Sequence, residues 1–118
     1  MAILRDEPEK LACLKALLDE PDVYISAGTV IEASIVSHGK ELGAEMDALL
    51  ERLQPIVMDV TEEIAQIARE GHLQWGKGRH RAHLNFGDCF SYALAKQLDC
   101  PLLFIGDDFS QTDIASVL

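Results

Sequence analysis

Short β-prone runs alternate with longer segments of helical spacing along this chain, and that alternation leaves few architectures open to it. Residues 9–19 carry Leu11, Leu14, Leu17 and Leu18 at the spacing of an amphipathic helix, which Pro21 and Asp22 end. Residues 23–26 read as a strand and Ala27-Gly28 as the turn after it. Thr29 is expected to open a second helix, with Ile31, Ile35 and Val36 on its inner face and Gly39 at its end. Residues 41–53 follow as a third helix, with Leu42, Met46, Leu49 and Leu50 in register. Residues 55–60 read as the next strand, and 61–75 as a helix carrying Ile64, Ile67 and Ala68. After an aperiodic loop over 76–83, residues 85–98 form a helix with Phe90, Leu94 and Leu98 on one stripe. Residues 101–105 are a compact apolar run, the mark of a strand buried on both faces, and Gly106-Asp107-Asp108 turns away from it.

Strands alternating with helices make parallel βαβ units, so the expected fold is α/β: a three-layer sandwich around a central parallel sheet. The 118 residues suffice for one continuous core, which makes residues 1–118 a single domain. Three strands are few for this much helix. The chain begins inside its first helix, where a strand would ordinarily come first. No apolar run approaches bilayer length, and the N-terminus lacks the basic start and long apolar stretch of a signal peptide. A cytoplasmic protein with no membrane partner is expected. Cys13, Cys89 and Cys100 have no C-x-x-C spacing, and the close pair His80 and His83 lacks a third soft ligand, so a disulfide framework and a zinc site are both set aside.

The formal net charge of −10 opposes binding to a phosphate backbone. A nucleic-acid partner would require a local basic patch or a cation that inverts the field. Topology offers both. In a parallel sheet the crossover helices begin at the carboxyl edge of the strands, where ligands of open α/β folds bind. Glu32, three residues into the second helix, Asp88, three residues into the helix after the basic loop, and Asp107 with Asp108 after the last strand should crowd that edge. Each has another reading. Thr29-x-x-Glu32 has the form of a capping box, Asn85-x-x-Asp88 is a near relative, and Asp107-Asp108 suits a turn. Carboxylates converging on one crevice need a cation, and hard oxygen ligands suit magnesium, with manganese also plausible. A metal so held can polarise a phosphodiester and activate water. Lys77, Arg79 and Arg81 place three of the ten Lys and Arg residues just ahead of Asp88, as phosphate contacts or as a solvated loop. Tyr92, one turn past Asp88, reads as a core tyrosine.

The run Asn85-Phe86-Gly87-Asp88-Cys89-Phe90-Ser91-Tyr92-Ala93-Leu94-Ala95, followed by Pro101-Leu102-Leu103-Phe104-Ile105-Gly106-Asp107-Asp108-Phe109, resembles the C-terminal half of PIN-domain ribonucleases of the VapC toxin type. Ile25-Ser26-Ala27-Gly28-Thr29-x-x-Glu32 is similar to the segment after their second strand. The resemblance implies a toxin of a toxin–antitoxin pair, an Mg2+-dependent endoribonuclease that acts on RNA, binds a cognate antitoxin protein and forms a homodimer. It also implies Glu32, Asp88 and Asp107 as catalytic and metal-binding acids, with Asp108 able to replace Asp107. Members of that family open with a strand ending in Asp-x-Ser, whereas Met1-Ala2-Ile3-Leu4 matches the helix after it, so the chain is expected to be truncated by one strand and one metal-binding aspartate. A form that binds its antitoxin and dimerises without cleaving RNA is the alternative. A phospho-acceptor receiver domain would want a lysine after the last strand, and Ile105-Gly106-Asp107 offers none.

Overall fold

The structure is a computed structural model that describes every residue except Ala2, Lys77, Ile105, Gly106 and Asp107. Its elements run α1 (Lys10–Asp19), β1 (Tyr24–Ser26), α2 (Ala27–Gly39), α3 (Gly43–Leu53), β2 (Ile56–Met58), α4 (Glu62–Trp75) and α5 (Phe86–Leu98), followed by a 3-10 turn over Phe109–Gln111. β1 and β2 pair in parallel, with Ile25 opposite Val57. This is the α/β arrangement that the alternation of strands and helices implies.

Side-chain caps set where most of the helices begin. The Thr61 hydroxyl accepts the Ile64 N–H at 3.2 Å and starts α4, and Asn85 starts α5 through a full capping box with Asp88. The start of α2 departs from expectation. Its N-cap is Ser26, whose hydroxyl accepts the Gly28 N–H at 3.2 Å. Strand therefore passes into helix with no turn between them. Thr29 lies inside the helix and bonds Ser91, so Thr29 and Glu32 do not form a capping box.

The core gathers on α5, which buries Gly87, Cys89, Tyr92, Ala93, Leu94 and Ala95. Leu84, Tyr92, Ala95, Phe109 and Ile114 form one cluster, and Ile64, Ala93 and Leu94 form a second against Met58 and Leu98. Tyr92 is a core tyrosine, as its sequence position implies. Its hydroxyl donates to Asp113 Oδ1 at 2.9 Å and accepts the Trp75 Nε1–H at 3.3 Å. Lys96 Nζ reaches the other Asp113 oxygen at 2.8 Å, tying the C-terminal segment to α5. Burial alone would raise the Asp113 carboxyl. The Lys96 and Tyr92 hydrogen bonds hold it below its ordinary range.

Three expectations are corrected. The apolar face predicted for α2 points outward, with Ile31 61% and Ile35 67% exposed, because the helix packs through its small residues instead. The run at 101–105 forms no strand among the described residues: Leu102 makes a single parallel bridge to Ser116, and Ile105 lies outside that set. Leu11 and Leu18 of α1 are exposed as well, and Cys13 is the one side chain that helix buries. α1 lies instead along a cavity of about 890 Å³, walled by Cys13 and Leu17 on one side and by Ile25, Leu94, Leu102 and Phe104 on the others. Among the described residues no helix is long and apolar enough to cross a membrane.

Candidate active site

α2 and α5 cross closely because each lays a glycine beneath a side chain of the other. A methyl group built on Gly28 would run into the Phe90 ring, and one built on Gly87 would overlap the Glu32 carboxylate. Only hydrogen at those two positions lets the backbones approach so near. The Thr29 and Ser91 hydroxyls share a hydrogen bond of 3.1 Å across the same crossing. The crossing thereby carries Glu32, the sixth residue of α2, onto the first turn of α5 where Asp88 stands.

Asp88 closes the α5 capping box. Its N–H donates to Asn85 Oδ1 at 2.9 Å, and its Oδ2 accepts the Asn85 N–H at 3.1 Å. The capping reading of Asp88 is therefore correct, and it leaves Oδ1 uncommitted to the cap. Burial pushes the Asp88 carboxyl above its ordinary range against the lowering pull of the Asn85 N–H, and the charge of Asp108 adds to the rise. Burial likewise raises the Glu32 carboxyl, with the charge of Asp88 second. The Glu32 carboxyl thus feels the charge of Asp88, and the Asp88 carboxyl feels the charge of Asp108. Like charges held together out of water favour protonation unless a cation joins them.

The remaining residues singled out in the sequence fall into place unevenly. Asp108 stands exposed at the head of the 3-10 turn, while Asp107 lies outside the described residues. Lys77 lies outside them too. Arg79 and Arg81 are exposed, and neither joins an ion pair among the described residues. Those residues contain no group of three or more His, Cys, Asp and Glu side chains placed to hold a metal ion. What they do offer is a pair of carboxylates with a third nearby. That set suits a hard cation that keeps several waters and takes further oxygens from a phosphate.

Sequence reasoning missed the two glycines and the surface beside them. Gly28 and Gly87 carried the signal, since a glycine within a helix costs stability and calls for a packing reason. Phe86, the first residue of α5, is 79% exposed with its ring edge-on to Phe90 at 5.2 Å. Together with Ile31 and Ile35 it walls a shallow apolar cavity of about 410 Å³, with Glu32 and Gly87 on its lining.

Comparison with known proteins follows the same outline. The family described as PIN domain matches residues 1–115. The chain is 43% identical over 120 residues to a protein named Ribonuclease VapC from Mycolicibacterium smegmatis, a match covering 99% of this chain and 93% of that protein. It is 41% identical to Ribonuclease VapC30 of Mycobacterium tuberculosis, over 99% of this chain and 92% of that one. Ribonuclease VapC28 of the same species is 38% identical, over 100% of this chain and 92% of its own length.

Proposed function

The chain belongs to the PIN domain family, and from that premise we propose that it is an endoribonuclease of the VapC toxin type, hydrolysing RNA phosphodiester bonds at the Glu32–Asp88 crevice. The observation that supports the reading is the glycine-mediated crossing of α2 and α5, which lays the Glu32 carboxylate against Gly87, the residue before Asp88, near enough for the Asp88 charge to act on it. Ribonuclease is also the activity in the names of the relatives it matches.

In this reading Glu32, Asp88 and one of Asp107 and Asp108 hold Mg2+, with Mn2+ as a substitute. The ion, when bound, supplies Lewis acidity toward the phosphodiester and a source of hydroxide at neutral pH. The protein's own work is positional. Asn85 fixes the Asp88 carboxylate through the capping box, and Gly87 gives Glu32 its seat. Lys77, Arg79 and Arg81 hold the phosphates flanking the cut and offset the repulsion from a chain of net charge −10. A cognate antitoxin protein and a second copy of the chain are the partners, and the cytoplasm is the compartment.

The test is Asp88→Asn. Asparagine can still accept the Asn85 N–H, so loss of the cap should cost no more than about 1 kcal/mol. Cleavage of RNA with Mg2+ should disappear while the melting curve stays cooperative. Wild-type cleavage by the variant would reduce Asp88 to a helix cap and overturn the assignment.

A further inference from the structure

Asp88, Tyr92 and Lys96 stand at intervals of four along α5, the spacing that places residues on one face of a helix, here over about 12 Å. The nuclease reading uses only the first of them. The C-terminal segment meets the other two through Asp113. Its Oδ1 accepts the Tyr92 hydroxyl at 2.9 Å, and its Oδ2 accepts from Lys96 Nζ at 2.8 Å. The Tyr92 oxygen, on a residue 4% exposed, also accepts the Trp75 Nε1–H, so the anchor point is fixed from α4 as well. Five residues before Asp113 the same segment carries Asp108, whose charge reaches Asp88 at the head of the stripe. The stretch between them is closed on itself. Both the N–H and the hydroxyl of Thr112 donate to the Phe109 carbonyl, at 3.0 and 2.6 Å, and Phe109 and Ile114 pack in one cluster with Tyr92. The Lys96–Asp113 pair, 41% and 42% exposed, adds little stability by itself. What a tyrosine hydroxyl shared among three segments does supply is a single register between them.

We infer that Asp113 is a positioning residue of the active site: by anchoring the C-terminal segment to Tyr92 and Lys96, it holds Asp108 near Asp88 as the third acid of the metal site. The inference rests on the nuclease reading above and commits that reading to Asp108. The Asp108 carboxylate is free for the task, since it makes no cap hydrogen bond to the 3-10 turn it heads. It is also exposed, so its own packing does little to fix where it points. Its place comes from its neighbours, through buried Phe109 on one side and the Asp113 anchor beyond. Groups that orient a metal ligand without touching the ion typically change metal affinity by about 10–100-fold when removed. Asp113 acts on the ion in that way, through the chain it holds.

The experiment measures Mg2+ binding by calorimetry without RNA, and RNA cleavage across a range of Mg2+ concentrations. The proteins are wild type, Asp113→Ala, Tyr92→Phe and Asp108→Asn, with Asp113→Ala and Tyr92→Phe each also combined with Asp108→Asn. Melting curves establish that every variant is folded at the temperature used. Tyr92→Phe removes one oxygen and keeps the buried ring, so it carries the test if the alanine variant does not fold. Asp113→Ala should bind Mg2+ about tenfold more weakly than wild type, Tyr92→Phe several-fold more weakly, and added Mg2+ should restore cleavage by both. In the Asp108→Asn background neither substitution should weaken binding further, because residues that act as one unit are not additive. A purely structural anchor gives a different result: wild-type Mg2+ affinity in the folded variants, or the same loss in both backgrounds. Either outcome overturns the inference, as does wild-type affinity in Asp108→Asn, and all three leave the nuclease reading standing if wild type binds Mg2+ and cuts RNA. If wild type does neither, the nuclease reading fails and the inference falls with it.

Discussion

Glu32 and Asp88 ionise above their ordinary range, so in metal-free protein the folded state holds protons that the unfolded chain has already released. The stability these two carboxyls contribute is fully present below the ordinary carboxylate range. It is lost as pH rises through their raised values. A divalent cation held by the ionised pair, as proposed, would reverse the slope. The difference in melting temperature between wild type and Glu32→Gln isolates this contribution from the other acids. Without metal, wild type should lose ground to the variant as pH climbs from about 4 toward neutrality. Added Mg2+ should then raise the wild-type melting temperature at neutral pH and leave Glu32→Gln nearly unmoved. Equal response of the two proteins to Mg2+ would remove Glu32 from the metal site.

Helix starts show which parts of the fold were legible in the sequence. Thr61 and Asn85 are strong caps followed by helical periodicity, and α4 and α5 begin where those residues say. The start of α2 was misread because Ser26 serves at once as the last residue of β1 and as the helix cap, which no local rule anticipates. The same residue removes the capping-box reading of Thr29 and Glu32, since Thr29 lies inside the helix and bonds Ser91. The outward face of α2 was misjudged for a related reason. Periodicity marks which residues share a face but says nothing of whether that face is covered. Leu102 failed as a strand because pairing is a property of two segments, and its sole partner in the described structure is Ser116. The basic loop is the element whose role the fold leaves most open, since Arg79 and Arg81 are exposed and unpaired among the described residues. Reversing Lys77, Arg79 and Arg81 to glutamate should weaken RNA binding and flatten its salt dependence. Each phosphate contact to a single strand contributes about 0.7 to the logarithmic slope. Affinity titrations across a range of salt concentrations decide it, and an unchanged slope would leave the loop merely solvated.

At the scale of the whole molecule, the sheet is short for the helices it carries. Among the described residues β1 pairs with β2 alone, and the cavity of about 890 Å³ opens between β1 and the Leu102–Phe104 wall. Protein interiors seldom leave voids larger than a water molecule, so an apolar space of that size forfeits packing that a further strand would supply. We expect a short hydrophobic strand fused ahead of Met1 to lie parallel to β1 and to raise the melting temperature. Each kcal/mol gained moves the midpoint of a domain this size by roughly 2–8 °C. Cooperative melting at one temperature with and without the added strand would make that strand dispensable and the architectural reading wrong.

The position of α1 over this cavity has a consequence for how the protein breathes. A helix that buries only Cys13 has little holding it down, whereas α5 buries six residues and cannot leave without the core. Free energies of opening within one domain range from near zero up to the global value, and α1 belongs at the low end. We expect it to detach in sub-global excursions while α4 and α5 stay packed, which hydrogen exchange would show as weaker amide protection over Lys10–Asp19. Such an excursion would bare the cavity lining, Ile25 and Leu94 among it, to proteases and to self-association.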